Sequence, residues 1–265
     1  MAKNGTVNIG NTQMHYAEFG SGDRNLVVLP GLSDGLTTVK GKAWMLAPSY
    51  KKFLKDFKVY MFSRKESMPE GYSIRDMAKD QVEAMRILNI TKATVMGVSQ
   101  GGMISQYIAA DYPEVVEKLI LVVTAPYANE VARDAVSSWM DMAKRGDHTT
   151  LMIDTAERMY SKAYLDKNRK LFPVIAKFTR PSSYERFLRN AEAILKFDAR
   201  DDLKNITCPT LIIAGDDDNT VGNDAPAEFN AGITNSEVYI YEGQGHGLFD
   251  EEKDFYDRVL EYALR

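Results

Sequence analysis

Ser99 lies in Gly97-Val98-Ser99-Gln100-Gly101, a G-x-S-x-G pattern between an apolar run at 93–97 and a helical run at 100–110. The pattern alone is short enough to arise by chance, and the strand-turn-helix context gives it chemical meaning. Glycines at 97 and 101 let strand and helix approach closely, so the turn between them is sharp and presents the Ser99 hydroxyl at the end of a sheet. A hydroxyl is a weak nucleophile at neutral pH. It needs an adjacent base, which histidine supplies when a carboxylate holds its tautomer.

The chain has three histidines. His15 falls in the first hairpin and reads as a surface or cross-strand residue. His148, beside Gly146-Asp147, reads as a loop residue. His246 sits in Gly243-Gln244-Gly245-His246-Gly247, where flanking glycines permit a tight, mobile loop that projects an imidazole toward Ser99. The candidate acids are Asp216, Asp217 and Asp218, in the loop that follows the apolar run 209–214.

That aspartate loop also resembles the sites of two other chemistries. Asp216-x-Asp218-x-Thr220-Val221 is similar to the first motif of haloacid-dehalogenase-type phosphatases, but that motif opens its catalytic domain and only 44 residues follow Val221. A calcium loop of the EF-hand kind fails as well, since its sixth position would be Val221 where glycine is required. The histidines are far apart and the single cysteine, Cys208, has no partner in the chain, so neither a zinc cage nor an intramolecular disulfide is expected. Cys208 reads as a small buried apolar residue.

With 265 residues, 45% apolar and 26% charged, the composition is that of a soluble globular protein and sets aside disorder, collagen and coiled coil. A formal charge of -4, with acidic residues in or beside each basic cluster, argues against a nucleic-acid partner. The polar N-terminus and the absence of any long apolar run predict no membrane span and a cytoplasmic location.

Periodicity supplies the elements that position these residues. Strands are expected at 6–9 and 12–19, joined by a tight turn at Gly10-Asn11, and then at 25–29, 57–62, 93–97, 118–123, 209–214 and 237–241. Helices are expected at 44–54, 74–88, 100–110, 225–230 and 251–264. Between 127 and 199 only helical patterns occur, among them 131–144, 151–163 and 184–195. The expected fold is α/β, a mostly parallel sheet with helices on both faces and an N-terminal antiparallel hairpin. The core spans 1–126 and 200–265, and 127–199 is a helical cap over the carboxyl ends of the strands, where such sheets bind ligands.

Across nearly its whole length the chain resembles the α/β-hydrolase family, in which Ser, acid and His follow one another in that order. The resemblance maps the acid onto Asp218, through a G-x-x-D turn beginning at Gly215, and leaves Asp216 and Asp217 as turn residues. It also implies a loop at Val27-Val28-Leu29-Pro30-Gly31-Leu32 whose Leu32 amide, with that of Gln100, forms an oxyanion hole. Relatives usually carry His-Gly at the position of Pro30-Gly31, and Phe62-Ser63-Arg64-Lys65-Glu66-Ser67 departs from a common Asp-x-Arg-Gly-x-Gly stretch. A serine at 99 sets aside the family's dehalogenase and epoxide hydrolase branches, which use an aspartate nucleophile.

The expected function is hydrolysis of a small carboxylic ester through an acyl-enzyme, with Ser99, Asp218 and His246 catalytic and no cofactor or metal. Thioester hydrolysis, carbon-carbon cleavage and non-turnover ligand binding remain open on the same triad. The expected partner is a small-molecule, ester-like substrate, and the sequence specifies no oligomeric state. Trp139, Met140, Met142, Met152, Met159, Tyr160 and Phe178 of the cap are candidates for an apolar acyl pocket, although such residues at helical spacing more often serve packing.

Overall fold

The computed structural model describes residues 2–265. Eight strands form one sheet: β1 (Lys3–Ile9), β2 (Thr12–Gly20), β3 (Arg24–Leu29), β4 (Phe57–Phe62), β5 (Ala93–Val98), β6 (Val116–Val122), β7 (Thr210–Gly215) and β8 (Ser236–Tyr241). Their spatial order is β1-β2-β4-β3-β5-β6-β7-β8. β2 pairs antiparallel with β1 and β4, and every pairing from β4 to β8 is parallel. The expected turn at Gly10-Asn11 is present, with Ile9 opposite Thr12 and Gly10 at φ +60°.

Side chains alternate between the two faces of a strand, and here both faces are covered. Val27, Leu29, Val95, Leu119, Leu121 and Ile212 face one core, shared with α2 (Ile74–Ile87) and α3 (Gln100–Asp111). Leu26, Val28, Met96, Ile120, Val122 and Ile213 face the other, shared with α11 (Phe255–Leu264) and with Tyr50 and Phe53. This is why the central strands read as continuous apolar runs. At the start of α2, Ser73 and Asp76 form a reciprocal capping box, which sets where that helix begins.

Between β6 and β7 the chain forms five helices: α4 (Glu130–Lys144), α5 (His148–Met159), α6 (Lys162–Asn168), α7 (Phe172–Thr179) and α8 (Glu185–Leu195). Three expected helices differ in detail. The one at 44–54 is a four-residue α1 (Ala43–Leu46) followed by a 3-10 segment, Ala47–Phe53, because Pro48 cannot continue the α-helical bonding. The one at 151–163 ends at Met159, where Tyr160 turns extended and Ser161 caps α6. The one at 251–264 divides into α10 (Leu248–Glu251) and α11, with α9 (Ala225–Gly232) preceding β8. No helix among the described residues is long and apolar enough to cross a membrane.

Candidate active site

Ser99 follows β5 at φ +54° and ψ -120°, a conformation that side-chain-bearing residues seldom adopt and that costs on the order of 1–3 kcal/mol. Its backbone is held from three sides. The Ser99 N–H donates to the Val122 carbonyl at 2.9 Å, while the Ser99 carbonyl accepts from the Gly102 N–H at 2.8 Å and from Thr124 Oγ1 at 2.7 Å. The glycines explain how strand and helix come this close. A Cβ on Gly101 would stand 1.9 Å from the Leu29 carbonyl oxygen, and one on Gly97 2.3 Å from Ser105 Oγ. Val123, a β-branched residue at φ +41°, marks a second strained position at the end of the neighbouring strand β6.

His246 and Asp218 come together from loops after β8 and β7. His246 Nδ1 lies 2.8 Å from Asp218 Oδ2, and both residues are buried. A carboxylate only accepts, so Nδ1 donates, and in the neutral ring this leaves Nε2 as the nitrogen with a lone pair. The other carboxylate oxygen, Oδ1, accepts from the Thr220 and Val221 amides at 2.8 and 2.9 Å, and the Asp218 N–H donates to Asn223 Oδ1 at 2.9 Å. Asp216 instead accepts from the Gly243 N–H at 2.6 Å, tying the two loops together, and Asp217 lies exposed.

The glycines flanking His246 serve close packing rather than mobility. A Cβ on Gly245 would stand 2.7 Å from the Met159 carbonyl oxygen, and one on Gly247 2.4 Å from the Tyr160 ring. The Gly247 N–H donates to that Met159 carbonyl at 2.7 Å, which fastens the histidine loop to the end of α5. Gly247→Ala should therefore overpack this seam, at about 1–3 kcal/mol of stability, and lower ester turnover by displacing the imidazole. Thermal melting and steady-state kinetics on the variant check both effects; unchanged values would mean the seam yields freely.

The Gln100 amide is the first of α3, and the Leu32 amide the first of the 3-10 turn Leu32–Gly35. N–H groups at a helix start have no intrahelical acceptor, so both are suited to receive a negative oxygen. Gly31 packs against Ser99, since a Cβ on it would stand 3.3 Å from Ser99 Cβ.

A buried polar network braces this region. Arg64 Nη2 donates to Gln100 Oε1 at 2.9 Å, and Gln100 Nε2 donates to the Asn190 carbonyl at 2.9 Å. The Arg64 N–H donates to Asp34 Oδ2 at 2.9 Å, and the two side chains form an ion pair at 3.7 Å. Arg186, on α8, pairs with Asp34 and donates to the carbonyls of Asp34, Arg64 and Lys65. Burial pushes Asp34 upward, but the Arg186 and Arg64 guanidiniums, with hydrogen bonds from Ser63 and the Arg64 amide, hold it below the ordinary carboxylate value. Burial likewise brings Arg64 down to about 10, against the opposing pull of Asp34. Apart from Gln100, none of these residues is a candidate in the sequence. The only trace was the departure at Ser63-Arg64.

The other two histidines lie elsewhere. His15 is buried in the hairpin, with Nδ1 2.8 Å from Thr6 Oγ1 and Nε2 2.7 Å from Glu66 Oε1. His148 opens α5 rather than lying in a loop, and it is buried with Nε2 at 3.2 Å from Thr179 Oγ1. Cys208 is buried and unpaired.

Ser99 and His246 share one cavity of about 360 Å³, walled by the sheet loops on one side and by the helices between β6 and β7 on the other. Of the candidates between 127 and 199, Trp139, Met152, Met159 and Tyr160 line it. Met140 packs into the core, Met142 packs against it, and Phe178 is 85% exposed. Leu151, Phe172, Phe187 and Phe249 also contribute, and nothing in their sequence periodicity distinguishes them from core residues. Among the described residues no group of three or more His, Cys, Asp or Glu side chains is arranged to hold a metal ion.

The family model described as alpha/beta hydrolase fold matches residues 46–253, well over half of the chain. The chain is an α/β hydrolase. The hydrolase is 26% identical over 198 residues to a protein named putative carbamate hydrolase RutD from Serratia proteamaculans, covering 74% of each chain. It is 25% identical over 215 residues to 3-oxoadipate enol-lactonase 2 from Acinetobacter baylyi, covering 80% of this chain and 79% of that one. Its fold matches that of MGS-M2, an alpha/beta hydrolase enzyme from a Medee basin deep-sea metagenome library, with a TM-score of 0.87, 20% identity and 98% of each chain covered.

Proposed function

We propose that the hydrolase cleaves small carboxylic esters through an acyl-enzyme on Ser99, with His246 as base and Asp218 as its orienting acid. The observation that carries this reading is the buried Asp218–His246 hydrogen bond, 2.8 Å long, in the cavity that also holds the strained Ser99. His246 Nε2 takes the Ser99 hydroxyl proton as Oγ attacks the ester carbonyl, and the imidazolium then protonates the departing alcohol. Water, deprotonated by the same nitrogen, attacks the acyl-enzyme and releases the acid. The Leu32 and Gln100 amides receive the developing oxyanion, each such donor typically contributing about 10²–10³ in rate.

Residues 127–199 act as a cap, and the cavity they share with the sheet loops suits a small, largely apolar acyl group. The names of the two relatives, a carbamate hydrolase and an enol-lactonase, both describe attack at an acyl carbon, which fits this chemistry. A fluorophosphonate probe should label wild-type protein at Ser99 and leave Ser99→Ala unlabelled, read by peptide mass spectrometry. A p-nitrophenyl acyl ester should be turned over many times per molecule. Release of no more than one equivalent, or a probe adduct elsewhere, overturns the reading.

A further inference from the structure

The catalytic cavity is charged in one sense only. Five aromatic side chains line it, Trp139, Tyr160, Phe172, Phe187 and Phe249, together with the carboxylate of Asp250. No lysine or arginine lines it among the described residues. Asp250 lies four residues after His246, on the short helix α10, so its distance from the reacting centre is set by the same loop that sets the base.

The carboxylate of Asp250 has one side-chain partner among the described residues, the Tyr160 hydroxyl, which donates to Oδ2 at 2.8 Å. Burial raises its pKa, the Tyr160 hydrogen bond opposes that rise, the nearby Glu251 adds to it, and no cation offsets it. The neighbouring Glu251 is engaged differently, since both of its oxygens are held by the amide and hydroxyl of Ser161. Asp250 is thus the carboxylate left to face the cavity, from a position still exposed to solvent.

The aromatic wall beside it is fixed. Tyr160 stacks on Tyr164 at 4.3 Å between centroids and on Phe172 at 5.9 Å, and Trp139 Nε1 is occupied by Asp154 at 2.8 Å. Aromatic faces attract cations through the ring quadrupole, and a carboxylate with no counter-ion attracts them by charge. A carboxylate-bearing substrate would meet the opposite, a like charge without a counter-ion at a solvent-exposed position on the cavity wall.

We propose that the cavity selects esters carrying an ammonium group a few bonds from the scissile carbonyl, and that Asp250 is the residue that recognises it. The proposal rests on the serine hydrolase reading above and names its substrate class. Turnover of neutral esters requires only that reading, whereas a preference for the cation requires Asp250.

The test compares kcat/KM within matched sets on the wild-type chain. On the alcohol side the pair is butyrylcholine and its uncharged carbon isostere, dimethylbutyl butyrate. On the acyl side the p-nitrophenyl esters of ε-aminohexanoic acid, heptanoic acid and heptanedioic acid supply a cation, a neutral chain and an anion. At least one set should favour the cation over its neutral isostere by about tenfold or more, equivalent to about 1.4 kcal/mol, with the anion poorest. Asp250→Asn, which keeps an acceptor for Tyr160, should bring the cation-to-neutral ratio close to one.

Neutral esters turned over with ratios near one in both sets overturn this inference and leave the serine hydrolase reading standing. A preference that survives in Asp250→Asn also overturns it. Failure to hydrolyse any of the esters overturns both. If the variant fails to fold, the wild-type ratios alone still decide the cation preference.

Discussion

Replacing His246 with alanine should lower kcat for ester hydrolysis by about 10⁴-fold or more, with the fold intact. The size of the effect follows from the geometry. Asp218 holds Nδ1 at 2.8 Å, so the imidazole is the one base oriented by a buried carboxylate in the cavity of Ser99. Removing it leaves Ser99 as an unassisted alcohol, while Asp218 keeps its bonds from the Thr220 and Val221 amides and so needs no rearrangement. Asp218→Asn should fall by a comparable factor, because an amide can present its N–H to Nδ1 and stabilise the tautomer that cannot act as base. Steady-state turnover with circular dichroism on each variant checks this. Activity within tenfold of wild type would mean that another group serves Ser99.

Asp34→Ala should cost about 3–5 kcal/mol of stability, the usual result of removing one partner of a buried ion pair. Arg64 is 2% exposed, and Asp34 pairs with both it and Arg186. Losing the carboxylate leaves two guanidiniums close together without an anion. Because the folded-state value of Asp34 lies below the ordinary 3.8, its contribution is present above that value and is lost as pH falls through the lowered one. Wild type should therefore lose stability on acidification below about pH 4, and the loss should be smaller in Asp34→Ala. Denaturant titrations at neutral and acidic pH measure both. A variant as stable as wild type at neutral pH would mean that water replaces the carboxylate. Ester turnover should fall as well, since Asp34 lies in the 3-10 turn that begins with the Leu32 amide.

These two predictions differ in how far the sequence could anticipate them. Ser99 and His246 are legible because each sits in a short run whose glycines serve local geometry, the elbow at 97–101 and the seam at 245–247. Asp218 needed the resemblance to be chosen over Asp216 and Asp217, and the structure separates the three by their partners. The Asp34–Arg186 pair joins residues 152 positions apart, and no local pattern signals it. Asp250 is not legible for the same reason, since its setting depends on side chains from α4, α5 and α7 that line the same cavity.

The sheet and the helices α2 and α3 were legible from sequence alone, because period-two and near-four-residue apolar patterns are consequences of local backbone geometry, whereas the helices expected at 44–54 and 251–264 each divide. The chain order of the candidate serine, acid and histidine was legible as well. The tertiary structure decided how the three aspartates divide their partners, which aromatic residues line the cavity, and that α8 grips the turn beginning at Leu32 through Arg186. Those outcomes arise from contacts between distant segments, where burial and charge compensation, rather than local propensity, set the energy.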